Sequence, residues 1–96
     1  MPAGYVYILA SQRNGTLYTG VAADVPSRVE QHRAGLGSKF VAKYGVYRLV
    51  WYERHELYTS AIQRETSIKR WKRAWKIALI EKDTPRWEDL YEKWGG

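Results

Sequence analysis

Cysteine is absent from this chain, which excludes a disulfide framework and a thiolate metal site and leaves the fold to stand on its apolar core. A reducing cytoplasm is the expected setting. Long hydrophobic runs are missing too: nothing approaches the roughly 18 apolar residues that a bilayer span requires. Met1 to Ala10 carries neither the charged start nor the small-residue cleavage site of a signal peptide, so no membrane partner is expected. There is no internal repeat, low-complexity tract or linker, and 96 residues leave room for one domain, 1–96, without a second core. Acidic residues are in the minority, 10 against 16 Lys and Arg, for a net charge of +6 and a pI near 9.7. That balance favours polyanionic partners, DNA or RNA ahead of an anionic membrane surface, although many basic surfaces are simply solvated. Aromatic residues are plentiful: five Trp and eight Tyr can supply a core for a short chain.

Tyr5 to Ala10 and Thr16 to Val21 are β-branched and aromatic and flank a polar Ser-Gln-Arg-Asn-Gly segment, which predicts a β-hairpin. Asp24 as N-cap and Pro26 in the first turn predict a helix from about Val25 to Arg33, ending in a flexible, basic Gly35/Gly37 loop. Lys39 to Tyr44 reads as a short helical turn and Val46 to Tyr52 as a third strand. Ser60 begins a capping-box pattern, with Ala61, Ile62, Ile68, Trp71 and Trp75 at helical spacing along a main helix to about Arg73. Ala74 to Glu81 either extends that helix or follows a bend, and Pro85 starts a last short helix through Trp87, Leu90 and Tyr91. The fold class expected is α+β: a three-stranded, mainly antiparallel sheet flanked by helices, in the order β-β-α-β-α-α.

Strand alternation puts Tyr7 and Tyr18 on one face in either of two hairpin registers. A two-residue Asn14-Gly15 turn pairs Tyr18 with Ser11; a four-residue loop over Ser11 to Asn14, the register we expect, sets Tyr7 opposite Tyr18 and leaves an open spot at Gly20. Taken alone, such tyrosines are most often amphipathic core residues. Arg28 and His32 stand at i and i+4 and project from one helix face, which matters chemically only if that face meets the tyrosines. Glu65 lies between Ile62 and Ile68 in the apolar stripe, so its carboxylate needs a partner: an ion pair with Arg28 or Arg64, hydrogen-bond donors, or a bound cation. Beyond it Lys69, Arg70, Lys72, Arg73 and Lys76 form a basic stripe interleaved with Trp71 and Trp75, a candidate phosphate-binding surface that also covers an aromatic core. Lys39 and Lys43 add basic charge near the first helix.

Tyr5-Val6-Tyr7, ten intervening residues and Tyr18-Thr19-Gly20, followed by Arg28-x-x-x-His32 and by Glu65 on a later helix, resemble the signature of the GIY-YIG nuclease superfamily. The likeness covers nearly the whole chain and is closest to short, stand-alone bacterial members, through Lys43 to Glu53, Ile68-Lys69-x-Trp71 and Pro85-x-Trp87-x-x-Leu90. Tyr5 stands where the first glycine is usual, Thr19 replaces isoleucine, and Thr84-Pro85 stands where such members often have Asn-Pro.

The resemblance implies a metal-dependent endonuclease acting on DNA, with Tyr7, Tyr18, Arg28, His32 and Glu65 as catalytic residues. Glu65 would hold one Mg²⁺ or Mn²⁺, and Arg28 would offset charge on the scissile phosphate. Tyr7 is expected as the base, with Tyr18 on the phosphate or water and His32 either relaying the proton or stabilising the phenolate. Lys39, Lys43, Lys69, Arg70, Lys72 and Arg73 are the expected nucleic-acid contacts. Relatives often carry a further DNA-binding domain, so a targeting protein partner is expected for this chain, itself a monomer or weak dimer. The alternative is a non-catalytic binding module of the same fold.

Overall fold

The computed structural model describes residues 2–94. Its three strands, β1 (Gly4–Ala10), β2 (Leu17–Ala22) and β3 (Arg48–His55), form an antiparallel sheet in the order β2-β1-β3, with β1 in the centre. Six of the seven β1 residues, all but Tyr5, are buried, as a strand covered on both faces must be. One face packs Tyr7 and Leu9 against Val25 and Val29 of α1 (Val25–Arg33) and Val41 of α2 (Lys39–Tyr44). The other packs Val6, Ile8 and Ala10 against Ala61 and Ile68 of α3 (Tyr58–Lys69) and Ile80 of α4 (Arg73–Asp83). A 3₁₀ turn at Leu90–Lys93 closes the described chain on the α1 side. This is the α+β sheet flanked by helices that the sequence predicts.

The hairpin differs from both registers considered above. Leu9 pairs with Tyr18 and Tyr7 with Gly20, so the loop is Gln12 to Gly15, closed by Ser11 N–H to Thr16 O at 3.0 Å. The side chain of Ser11 decides this register: its Oγ accepts from Thr16 N–H at 2.9 Å, making Ser11 the last paired residue instead of the first loop residue. Tyr7 and Tyr18 therefore share a face as diagonal neighbours. On the other side of β1, the register shifts between Ile8 and Leu9, a bulge at Val50 that sends both Val50 and Trp51 to the α3 side while Leu49 faces α1.

Asp24 caps α1 as expected, accepting from Ser27 N–H at 3.2 Å. The main helix departs from the reading at both ends. It starts at Tyr58 behind Leu57, with no side-chain cap, because Tyr58 N–H is taken by Pro2 O at 3.1 Å; Ser60 lies inside the helix. It ends at Lys69, and a bend through Arg70, Trp71 and Lys72 precedes α4 as a separate helix, so Arg73 opens α4. The stripe is also less apolar than its spacing suggests, since Ile62 is 42% and Trp75 55% exposed. Pro85 does not start a helix: Trp87 N–H closes a turn onto Thr84 O at 2.9 Å, and the 3₁₀ turn comes three residues later.

Candidate active site

Tyr7 is anchored in the central strand and has no exposed surface. Its ring lies across Gly20 of the neighbouring strand; a β-carbon at Gly20 would overlap the ring's hydroxyl end, so the expected open spot is filled by Tyr7 itself. The hydroxyl meets Nε2 of His32 at 3.0 Å. His32 reaches it because Val25 and Val29 bury one face of α1 against the sheet, and His32, one turn on, shares that face. Tyr18, half-buried, completes an aromatic cluster, its ring 6.4 Å from Tyr7 and 5.5 Å edge-on from His32.

Arg28 sits one turn before His32, its Nη1 donating to Val21 O at 3.4 Å. Burial is the main force raising the Tyr7 pKa above its ordinary value, with Tyr18 adding to it, Arg28 opposing it and Glu65 contributing a smaller rise. Burial, and after it the Arg28 charge, push His32 below its ordinary pKa, so the imidazole is neutral at pH 7. Of the five expected catalytic residues, Tyr7, Tyr18 and His32 are in contact and Arg28 lies one turn before His32, while Glu65 is carried on α3.

Glu65 is 14% exposed at its side chain, as its position requires, but neither expected arginine pairs with it. Lys69, one turn on, does so at 3.3 Å, while Arg64 binds Glu53 at 3.1 Å and lies over the Trp71 ring. The Arg28 guanidinium turns to the β2 backbone instead. Among the described residues no three His, Cys, Asp or Glu side chains gather to hold a metal by themselves. A single carboxylate fits a hard cation such as Mg²⁺, which commonly takes one or two carboxylates and completes its shell from water and substrate phosphate.

The expected nucleic-acid contacts fall into two groups, on α2 and where α3 gives way to α4. Lys39 and Lys43 are exposed on α2, where Phe40 (6.3 Å from Tyr18) and Tyr44 (4.9 Å from Phe40) continue the aromatic cluster outward. Lys69, Arg70 and Lys72 are exposed where α3 gives way to α4. Arg73 is engaged: its Nη2 donates to Asn14 O at 2.8 Å and to Gly15 O, tying α4 to the hairpin loop. Thr84 lines a separate pocket of about 330 Å³ with Trp51, Tyr52, Asp83 and Leu90, which includes none of the five catalytic candidates.

The Gly35/Gly37 loop follows α1 as the sequence predicts, but it packs on His32, which the sequence does not signal. Gly35 takes φ +79°, Gly35 N–H bonds His32 O at 3.0 Å and Leu36 N–H bonds Gln31 O at 2.9 Å, turning the chain back so that Gly37 packs on the His32 ring. Ser38 N–H then points at His32 Nδ1 at 3.4 Å. The glycines signalled a turn, and nothing in their spacing signalled its target.

Residues 3–78 match the GIY-YIG catalytic domain family. UPF0213 proteins of Staphylococcus aureus strains Mu50 and N315 are 40% identical over 81 residues, 84% of this chain and 98% of theirs. The solution NMR structure of a UPF0213 protein from Bacillus halodurans superposes with a TM-score of 0.56 at 31% identity, covering 92% of this chain and 93% of that one. By the family match and these relatives, and with the tyrosine pair meeting the His32 face of α1, this chain belongs to the GIY-YIG family and stands beside its short UPF0213 relatives.

Proposed function

We propose that this protein is a metal-dependent endonuclease that hydrolyses phosphodiester bonds in DNA. The observation that carries the reading is the buried Tyr7–His32 hydrogen bond at 3.0 Å, with Tyr18 against both rings and Arg28 one turn before His32. A buried phenol with a raised pKa is inert as a base until positive charge reaches it, and this site has places for that charge. Arg28 is one, already opposing the rise. Glu65 would be the ligand for Mg²⁺ or Mn²⁺, which when bound supplies Lewis acidity toward the phosphate oxygens.

In this mechanism Arg28 pairs with the scissile phosphate and offsets the charge that grows on it. Tyr7, as phenolate, takes the proton of the attacking water, and Tyr18 orients that water or the phosphate. Lys39, Lys43, Lys69, Arg70 and Lys72 bind flanking phosphates, so affinity should fall steeply with salt and carry little sequence preference. Branched, damaged or single-stranded DNA in the cytoplasm, in a repair setting and with a partner protein to aim the enzyme, is the proposed context.

The test is cleavage of single-stranded, duplex and branched DNA at low salt, in Mg²⁺, Mn²⁺ or EDTA, by the wild type and Glu65→Ala. Cleavage that EDTA and the substitution both abolish, with DNA binding retained, supports the reading. Binding without cleavage of any substrate overturns it in favour of a non-catalytic module.

A further inference from the structure

The two nitrogens of the His32 ring face partners of different character. Nε2 meets the Tyr7 hydroxyl at 3.0 Å, a group that can donate or accept. Nδ1 meets the backbone N–H of Ser38 at 3.4 Å, a group that can only donate. A neutral imidazole carries one proton, and a donor at Nδ1 requires the lone pair there.

We propose that Gly37-Ser38 is a positioning element of the site: the Ser38 N–H holds His32 in the Nε2–H tautomer, so that the ring donates a hydrogen bond to the Tyr7 oxygen instead of accepting one. The opposite tautomer would set Nδ1–H against Ser38 N–H. Of the two roles open to His32, proton relay or support of the phenolate, this geometry selects the second. An Nε2–H already aimed at the oxygen stabilises the phenolate without reorganisation.

The surrounding backbone holds that N–H independently of the ring. Two closing bonds, to His32 O and Gln31 O, turn the chain at Gly35, and Ser38 is itself the cap of α2, its Oγ accepting from Phe40 N–H at 3.1 Å. Between them Gly37 has to be glycine for space: a β-carbon there would overlap Nδ1 and Cε1 of the ring. His32 is 2% exposed, so no water competes freely for either nitrogen. The catalytic consequence rests on the nuclease reading; the tautomer does not.

The ring can be read directly by ¹⁵N–¹H correlation of histidine-labelled protein above pH 6.5, the ordinary histidine value, with His55 as the one other histidine to assign. The wild type should show a single tautomer, Nδ1 bare and Nε2 protonated. Ser38→Pro deletes the N–H at a residue whose φ of −72° suits proline; its ring signals should move toward a tautomer mixture and cleavage should fall about tenfold or more. Ser38→Ala keeps the N–H and loses only the capping hydroxyl, so its ring signals should stay with the wild type's. If Ser38→Pro does not fold, Gly37→Ala, which displaces the ring from the amide, should show the same mixture. A wild-type ring protonated at Nδ1, or folded Ser38→Pro or Gly37→Ala rings unchanged from wild type, would overturn the proposal. An Nε2–H ring in a protein that cleaves no DNA would instead count against the nuclease reading and leave the positioning intact.

Discussion

Gly20→Ala is the substitution in which the hairpin register, the Tyr7 ring and the Tyr7–His32 bond are tested together. Alanine in a strand gains about 0.5–1 kcal/mol over glycine through the smaller backbone entropy it loses. Against that gain, the new methyl would overlap the hydroxyl end of Tyr7. A tyrosine tip can normally swing aside, but this one has no exposed surface and is bonded to a buried histidine. Overpacking of this kind costs about 1–3 kcal/mol, and unpairing the buried hydroxyl and imidazole costs about 1–3 kcal/mol more. The costs exceed the gain, leaving a net loss of about 1–5 kcal/mol, each kcal/mol of which lowers Tm by about 4–8 °C in a domain of this size. Urea and thermal melts measure it. Tyr7→Phe, which also removes the bond, should be less than additive with Gly20→Ala, with a coupling of about 1 kcal/mol. A Gly20→Ala protein within about 0.5 kcal/mol of wild type would refute the packing of Tyr7 on Gly20.

Further outcomes follow from particular residues. His32 has its pKa pushed below 6.5 by burial and then by Arg28, so below that value the unfolded chain binds more protons at this residue and its contribution to stability is lost as the pH falls toward the folded pKa. His32→Gln should flatten that part of the stability curve below pH 6.5 in urea melts. Thr84 Oγ1 is buried without a hydrogen-bond partner, so Thr84→Val should stabilise the protein by about 1 kcal/mol and raise Tm by about 4–8 °C. Arg73→Ala should cost about 1 kcal/mol by releasing the hairpin-loop carbonyls, whereas Lys72→Ala should leave melts unchanged and weaken oligonucleotide binding with a shallower salt slope, as read by fluorescence anisotropy.

Much of the molecule was legible in the sequence because local physics decides it. Asp24 with Pro26 marks the start of α1, and the Tyr5–Ala10 run can only be a buried strand. The pairing of Arg28 with His32 on one helix face is a consequence of helical period, and the resemblance supplied the reason to look for Tyr7 and Glu65 beside them. What stayed hidden depends on contacts between distant segments. The register turned on the Ser11 hydroxyl bonding Thr16, and the start of α3 on Pro2 O taking the Tyr58 amide. The bulge at Val50 reverses the side of Trp51, which alternation alone would assign to the face of Leu49. Arg73 reads as a phosphate contact until the hairpin loop is seen beneath it, and the Ser38 amide gains meaning only once α1 folds its histidine under the loop.

The central claim, that Tyr7 and Glu65 perform hydrolysis in this site, is tested most directly by comparing DNA cleavage and DNA binding by wild type, Tyr7→Phe and Glu65→Ala in one Mg²⁺ buffer. Tyr7→Phe should lose about 10²–10⁴-fold in rate, the usual worth of a general base. Glu65→Ala should lose cleavage altogether, and both should bind DNA as the wild type does. Cleavage at the wild-type rate by either variant would contradict it.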